Sequence, residues 1–349
     1  MSRIRLEMLR PWGLAVVLAA ALAGSNAAAG TAQPDPAKAV ADARAAFDSI
    51  DTVLQPQTWA SAQARLGAAL AAKGQSAAYV QESQDDLAES RRAFEAAMTV
   101  ITREAFPAEW AVMQANLVNV DLALASRQEA SAAVVPLRRA AATDRLLIEA
   151  NPRASAPAQW AAYQGQLGVV MRLLSDRLDG DEKRAALDAA VAASRAALEV
   201  QTRGSAPDEW TETQINLGMA YKALADLSDP KTEFLDQSAV AFGQALATRN
   251  PKSAPKEWLT LTFNLAVSEA EAAQIRRDVK AMRRALGRLD EMDRYRGPEA
   301  VVWSEPVKIN REGMKKALAN ISKPLPQPAP PAATPVSAPA TAPAAAPKS

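Results

Sequence analysis

The apolar positions of this chain fall on a helical period that restarts about every 50 residues. From Trp210, residues Gln214, Leu217, Tyr221 and Leu224 follow at steps of four, three, four and three, which lines one face of an α-helix. The skeleton ahead of that face is a proline, a tryptophan three residues on, a glutamine, a leucine and a small residue. It is written as Pro56/Trp59/Gln63/Leu66/Gly67, Pro107/Trp110/Gln114/Leu117/Val118, Pro157/Trp160/Gln164/Leu167/Gly168 and Pro207/Trp210/Gln214/Leu217/Gly218. A fifth copy, Pro255/Trp258/Thr262/Leu265/Ala266, replaces the glutamine. Proline suits the first helical position, where its missing N–H has no partner to lose. Ser155, Ser205 and Ser253, two residues before their prolines, are expected to help cap. In the fourth copy Asp229-Pro230 reads as the start of a second helix, with Leu235, Ser238, Phe242, Ala245 and Leu246 at helical spacing and Asn250-Pro251 behind it. One apolar seam cannot be buried by a lone hairpin, so the copies are expected to stack.

Asn216-Leu217-Gly218, Ala220 and Tyr221 in the first helix, Phe242 and Ala245 in the second and Pro251 after it resemble the tetratricopeptide repeat. The resemblance covers roughly residues 36–295 and departs from that family in two ways. The period is near 50 where the family has about 34, and Trp210 stands one turn ahead of the family's aromatic position, which Gln214 occupies. It implies an all-α right-handed superhelix of about five hairpins, 56–104, 107–151, 157–203, 207–250 and 255–295, closed by capping helices at both ends. The N-terminal cap is expected from Ala37 to about Leu54. The C-terminal cap is expected over 299–321, with Trp303, Val307 and Met314 on it. Pro136 would interrupt a helix, so the second helix of the second hairpin is expected to start near Ala132.

Outside the repeats the pattern changes. Residues 1–29 combine arginines through Arg10, an apolar run from Gly13 to Ala23 and the small residues Ala27-Ala28-Ala29, the layout of a cleaved secretory signal. They predict export of a bacterial protein to the periplasm, the alternative being an uncleaved anchor in the inner membrane. Residues 324–349 are mostly proline and alanine and predict a disordered, polyproline-like tail. The formal charge of +1 becomes −1 when the signal's three arginines and one glutamate are taken away. That balance gives no reason to expect nucleic acid as a ligand.

Candidate chemistry is sparse. With no His and no Cys, the usual nucleophile–base pairs and most transition-metal sites are unavailable, and no cofactor or metal is expected. The dipeptides Glu82-Ser83 and Glu89-Ser90 are similar to the catalytic Glu-Ser of lytic transglycosylases, but no lysozyme-like domain follows them. No catalytic residue is assigned. The indoles, in phase with the leucine seam, are expected to pack between repeats, and the seam glutamines to hydrogen-bond neighbouring loops. The resemblance implies a concave groove along the first helices. There Arg65, Asn116, Gln166, Asn216 and Asn264, just before each seam leucine, would meet a peptide, helped by Arg172 and Lys222. Arg276, Lys280, Arg284 and Arg288 recur at four-residue steps as a basic stripe, expected on the last hairpin's second helix and suited to anionic envelope material. The expected function is a non-catalytic scaffold or adaptor for a protein or peptide. Alternatives are a structural subunit of an envelope or export assembly and, behind it, an enzyme acting on peptidoglycan.

Overall fold

The computed structural model describes residues 35–323; the expected signal and the Pro/Ala tail lie outside the described residues. Within that span the chain is all-helical. Helix α1 (Pro36–Ala45) and a 3-10 turn (Ala46–Ser49) precede five pairs: α2 (Pro56–Ser76) with α3 (Val80–Ala97), α4 (Pro107–Ser126) with α5 (Ala130–Ala150), α6 (Pro157–Ser175) with α7 (Gly180–Leu198), α8 (Pro207–Asp226) with α9 (Thr232–Leu246), and α10 (Pro255–Arg276) with α11 (Val279–Arg294). Helix α12 (Ala300–Ile321) closes the set. Each second helix also packs on the first helix of the next pair, α1 lies on α2, and α12 lies on α10 and α11. The first helices α6 and α8, and α2 and α4, touch across the repeat. These are two of the four successive first-helix pairs, and among the described residues no two successive second helices pack as closely, the pattern of a stack that bends toward its first helices.

A single turn starts every first helix. The residue before the proline has φ between −130° and −152° and ψ between 52° and 67°, outside the α region that a following proline disfavours. Its N–H donates four residues back, as Ala206 does to the Thr202 carbonyl at 3.0 Å, and its own carbonyl accepts the tryptophan N–H, at 2.8 Å for Trp210. The expected serine caps do not form, because these backbone bonds already organise the entry. Ser205 instead exchanges bonds with Thr202, Ser253 accepts from the Asn250 amide, and Ser155 donates to the Pro152 carbonyl.

The core is a repeated seam. On the second helices it reads Leu87/Ser90/Phe94/Ala97, Leu137/Ala140/Asp144/Leu147, Leu187/Ala190/Ser194/Ala197, Leu235/Ser238/Phe242/Ala245 and Met282/Ala285/Leu289/Met292, all buried. Steps of three, four and three keep these positions on one face. Against them the first helix offers a residue small enough for close approach. A Cβ on Gly67 would sit 3.0 Å from the Phe94 ring, and one on Gly218 would sit 2.9 Å from the Phe242 ring. Ser90 and Ser238 hydroxyls donate to the Gly67 and Gly218 carbonyls at 2.6 and 2.9 Å. The first helices thereby lose no buried polar group, and each phenylalanine contributes about 1.5–3 kcal/mol of burial.

One buried ion pair crosses the first two hairpins. Asp121 on α4 is fully buried and accepts from Arg91 on α3 at 2.8 Å and from Arg139 on α5 at 2.7 and 3.1 Å. Burial raises its carboxyl above the ordinary value, and the two arginines oppose that rise.

Three local expectations are corrected. Helix α1 ends at Ala45 and not near Leu54, because the Asp51 side chain accepts from the Val53 and Leu54 N–H groups and folds that stretch into a turn. Pro136 is not in a first turn: α5 begins at Ala130 and carries the buried proline within it. The fourth hairpin's second helix begins at Thr232, behind a cis Asp229–Pro230 bond.

Gly218→Val should lower stability by about 1–3 kcal/mol through overpacking against Phe242. Gly287→Ala, in mid-helix α11 with open space where its Cβ would stand, should raise it by about 0.5–1 kcal/mol. Denaturant midpoints of the two variants check both signs.

Candidate functional site

The inner face is built from the first helices, and the position six residues after each tryptophan sits along it. Arg65 is exposed, Asn116 is buried, and Gln166, Asn216 and Asn264 are half-buried. Part of the expected row is tied together across repeats. Gln166 donates to the Asn119 side-chain oxygen at 3.5 Å, and Arg172 Nε donates to the Asn216 side-chain oxygen at 3.3 Å. Asn216 in turn donates to the Glu212 carbonyl at 2.9 Å. Arg172 also meets Asp176, and Lys222 bridges Asp226 at 3.3 Å and Glu271 at 3.1 Å. Arg172, Asn216 and Lys222 are therefore struts between neighbouring first helices. Arg65, Asn116 and Asn264 make no side-chain bond within the described chain and keep their polar groups for solvent or a partner.

Between these polar positions run half-buried Asn119, Val169, Met219 and Val267, nine residues after their tryptophans. Two turns ahead of Met219 on α8 stands exposed Glu212, with no ion pair among the described residues, in contrast to the paired Asp176, Asp226 and Glu271. The carboxyl reaches solvent from within a concave wall. Desolvation by that wall, with Glu209, Asp208 and Glu257 adding repulsion against a weaker pull from Arg249, pushes it up to about 7.

The basic stripe is not one helix face. Arg276 is the last residue of α10, and the chain turns at Arg277, which is left-handed with φ 55°, before α11 begins. The four-residue spacing runs through the turn, so periodicity alone merged two helices. Arg276 pairs with Asp236, and Arg288 holds Glu269 at 2.8 and 3.1 Å. Arg277 donates to the carbonyls of Ile321 and Lys323 and caps α12, where a cation suits the negative end of the helix dipole. Lys280 and Arg284 remain exposed.

A ladder on the loop edge has no counterpart in the sequence reading. Arg103, Arg153 and Arg203 lie over Trp110, Trp160 and Trp210 at 5.7, 5.3 and 5.4 Å from the ring centroids. Each then reaches the next repeat, at Glu149, Glu199 and the Ala247 carbonyl. The signal was an arginine seven residues before three of the tryptophans. Such exposed cation–π contacts are worth about 0.5–1 kcal/mol each. The indoles pack as expected: Trp210 and Trp258 are buried, and Trp110 packs against the apolar clusters on both sides of it.

The seam glutamines do not bond to adjoining loops. Gln201 fills that role, accepting from Thr213 at 2.8 Å and donating to the Ala161 carbonyl at 3.4 Å. Glu89 is engaged by Arg44 at 2.7 and 2.8 Å and Glu82 faces Lys73, while Ser83 and Ser90 are buried and bonded to α2 carbonyls. The two Glu-Ser dipeptides thus divide between ion pairs and helix packing. No helix among the described residues is long and apolar enough to cross a membrane. No protein-family model and no curated protein matches the chain.

Ionised Glu212 opposes folding. Because its folded pKa lies above the ordinary carboxylate value of about 4.3, the stability of the native chain relative to Glu212→Gln should fall as pH rises from that range through about 7 and level off above it. Thermal midpoints of both proteins at pH 5, 7 and 8 measure the difference.

Proposed function

We propose that this chain is a non-catalytic scaffold or adaptor that holds a protein or peptide segment along the inner face of a right-handed, tetratricopeptide-like array. The reading includes a bacterial periplasmic location after removal of the N-terminal signal. One observation carries the partner assignment. The inner face combines an apolar floor at Val169, Met219 and Val267 with polar groups that the chain itself leaves unused, at Asn116, Asn264 and Glu212. Amides with no partner among the described residues, set along an apolar floor, suit an extended peptide, whose backbone bonds to the amides while its side chains cover the floor. The open curvature supports a long segment over a small molecule, since the clefts of about 320 and 120 Å3 lie away from this row, at the ends of α8 and α10 and between α9, α10 and α11. Arg172, Asn216 and Lys222 position this surface by bracing it.

A second reading, a structural subunit of an envelope or export assembly, draws on Val301, Val302 and Ile309, which are exposed on α12 at the end of the stack.

A displayed library of random peptides panned against the full chain should yield binders whose affinity falls about tenfold or more with Met219→Asp or Asn264→Ala and is unchanged by Val240→Asp on the exposed side of α9. Equal affinity across all four proteins overturns the inner-face assignment.

A further inference from the structure

The third position of the second-helix seam is Phe94, Ser194, Phe242 or Leu289 in four hairpins; in the second it is Asp144. Asp144 is 0% exposed and neither carboxyl oxygen has a hydrogen-bond partner. The matching first-helix position also changes, from Gly67, Gly168 and Gly218 to Val118. An aliphatic side chain and a carboxyl therefore take the place that a phenylalanine ring fills elsewhere. The charge that acts to compensate Asp144 is that of Arg145, and its pull is weaker than the penalty of burial. Arg145, next to it on α5, points its guanidinium at the Met171 sulfur, 3.8 Å away. From α6 the Tyr163 hydroxyl faces it, and the Asp144 charge opposes ionisation of that phenol. The acidic groups of α4 are Glu109 in its first turn and Asp121, which Arg91 and Arg139 already hold; neither acts on Asp144.

We infer that Asp144 makes the packing of α5 between α4 and α6 acid-tightened: with its proton the residue is a neutral part of the core, and on losing it the contacts of α5 with both neighbours loosen. An unpaired charge in a dry interior is among the most unfavourable things a fold can hold, and burial drives this carboxyl well above its ordinary range. Below the ordinary carboxylate range both folded and unfolded chains carry the proton, so pH has no effect through this group. Above it the unfolded chain releases the proton while the folded one keeps it, so stability declines with rising pH. The limit is about a tenfold larger unfolding constant per pH unit for one proton.

Thermal unfolding of the full chain and of Asp144→Asn between pH 5 and 9 tests this, since subtracting the two profiles removes every other titrating group, Glu212 included. The native protein should lose stability against the variant steadily with pH; parallel profiles overturn the inference. Asp144→Ser, which borrows the third hairpin's residue, serves if the asparagine variant does not fold. Amide exchange in the native chain gives a reading without substitution: after correction for intrinsic rates, protection of α5 and α6 should fall with pH faster than that of α8 and α9. Uniform change across the array also overturns it.

Discussion

The close contact of a glycine-bearing first helix with a large side chain on its partner is the constraint on which this architecture depends. Gly67 under Phe94 and Gly218 under Phe242 leave no room for a methyl group without displacement. That proximity lets a serine hydroxyl reach across to the glycine carbonyl. Helices held so near each other bury their alanines as effectively as larger residues would, which explains how a chain with only 5% aromatic residues builds a continuous core. The inner face follows from it, because first helices meet at α2–α4 and α6–α8 while no two successive second helices among the described residues pack as closely.

The second level is a set of polar ties running from one repeat to the next. The arginines over the tryptophans bind loop edges, Arg172–Asn216 and Lys222–Glu271 brace the inner face, and Arg277 clamps the last helix. Each exposed tie is weak alone. Together they fix the angle between neighbours, which apolar packing between smooth alanine-rich surfaces specifies poorly. Side chains that looked like ligand contacts in the sequence turn out to hold the surface in shape. The groups we propose for ligand contact are those left unpaired among the described residues.

Much of the fold was legible because the first helices repeat a rare residue at fixed phase: tryptophan, followed by leucine seven residues on, cannot be missed over five copies. The second helices were readable only in the fourth copy, where Phe242 stands in the seam. In the second and third copies Asp144 and Ser194 occupy that place and disguise the period, although Leu137 and Leu187 keep it. Periodicity also failed at Arg276, because a two-residue turn, left-handed at Arg277, preserved a four-residue spacing between separate helices. The candidate site was legible as a register and not as a set of contacts. Position six after the tryptophan was predicted, but whether Asn216 would meet Arg172 and Asn264 nothing depends on how adjacent helices are offset, which one helix's sequence does not encode.

The Arg91–Asp121–Arg139 triad gives the array a grain. Two arginines from successive hairpins grip one fully buried carboxylate, and parting hairpins one and two would take Arg91 from it and leave Arg139 alone. The later joints carry buried neutral hydrogen bonds instead, Thr213 to Gln201 and Ser238 with Ser268. Packing is sparsest at that first joint, whereas one apolar core runs on from the second hairpin into the fourth, so the ionic clamp stands where contact between hairpins is least.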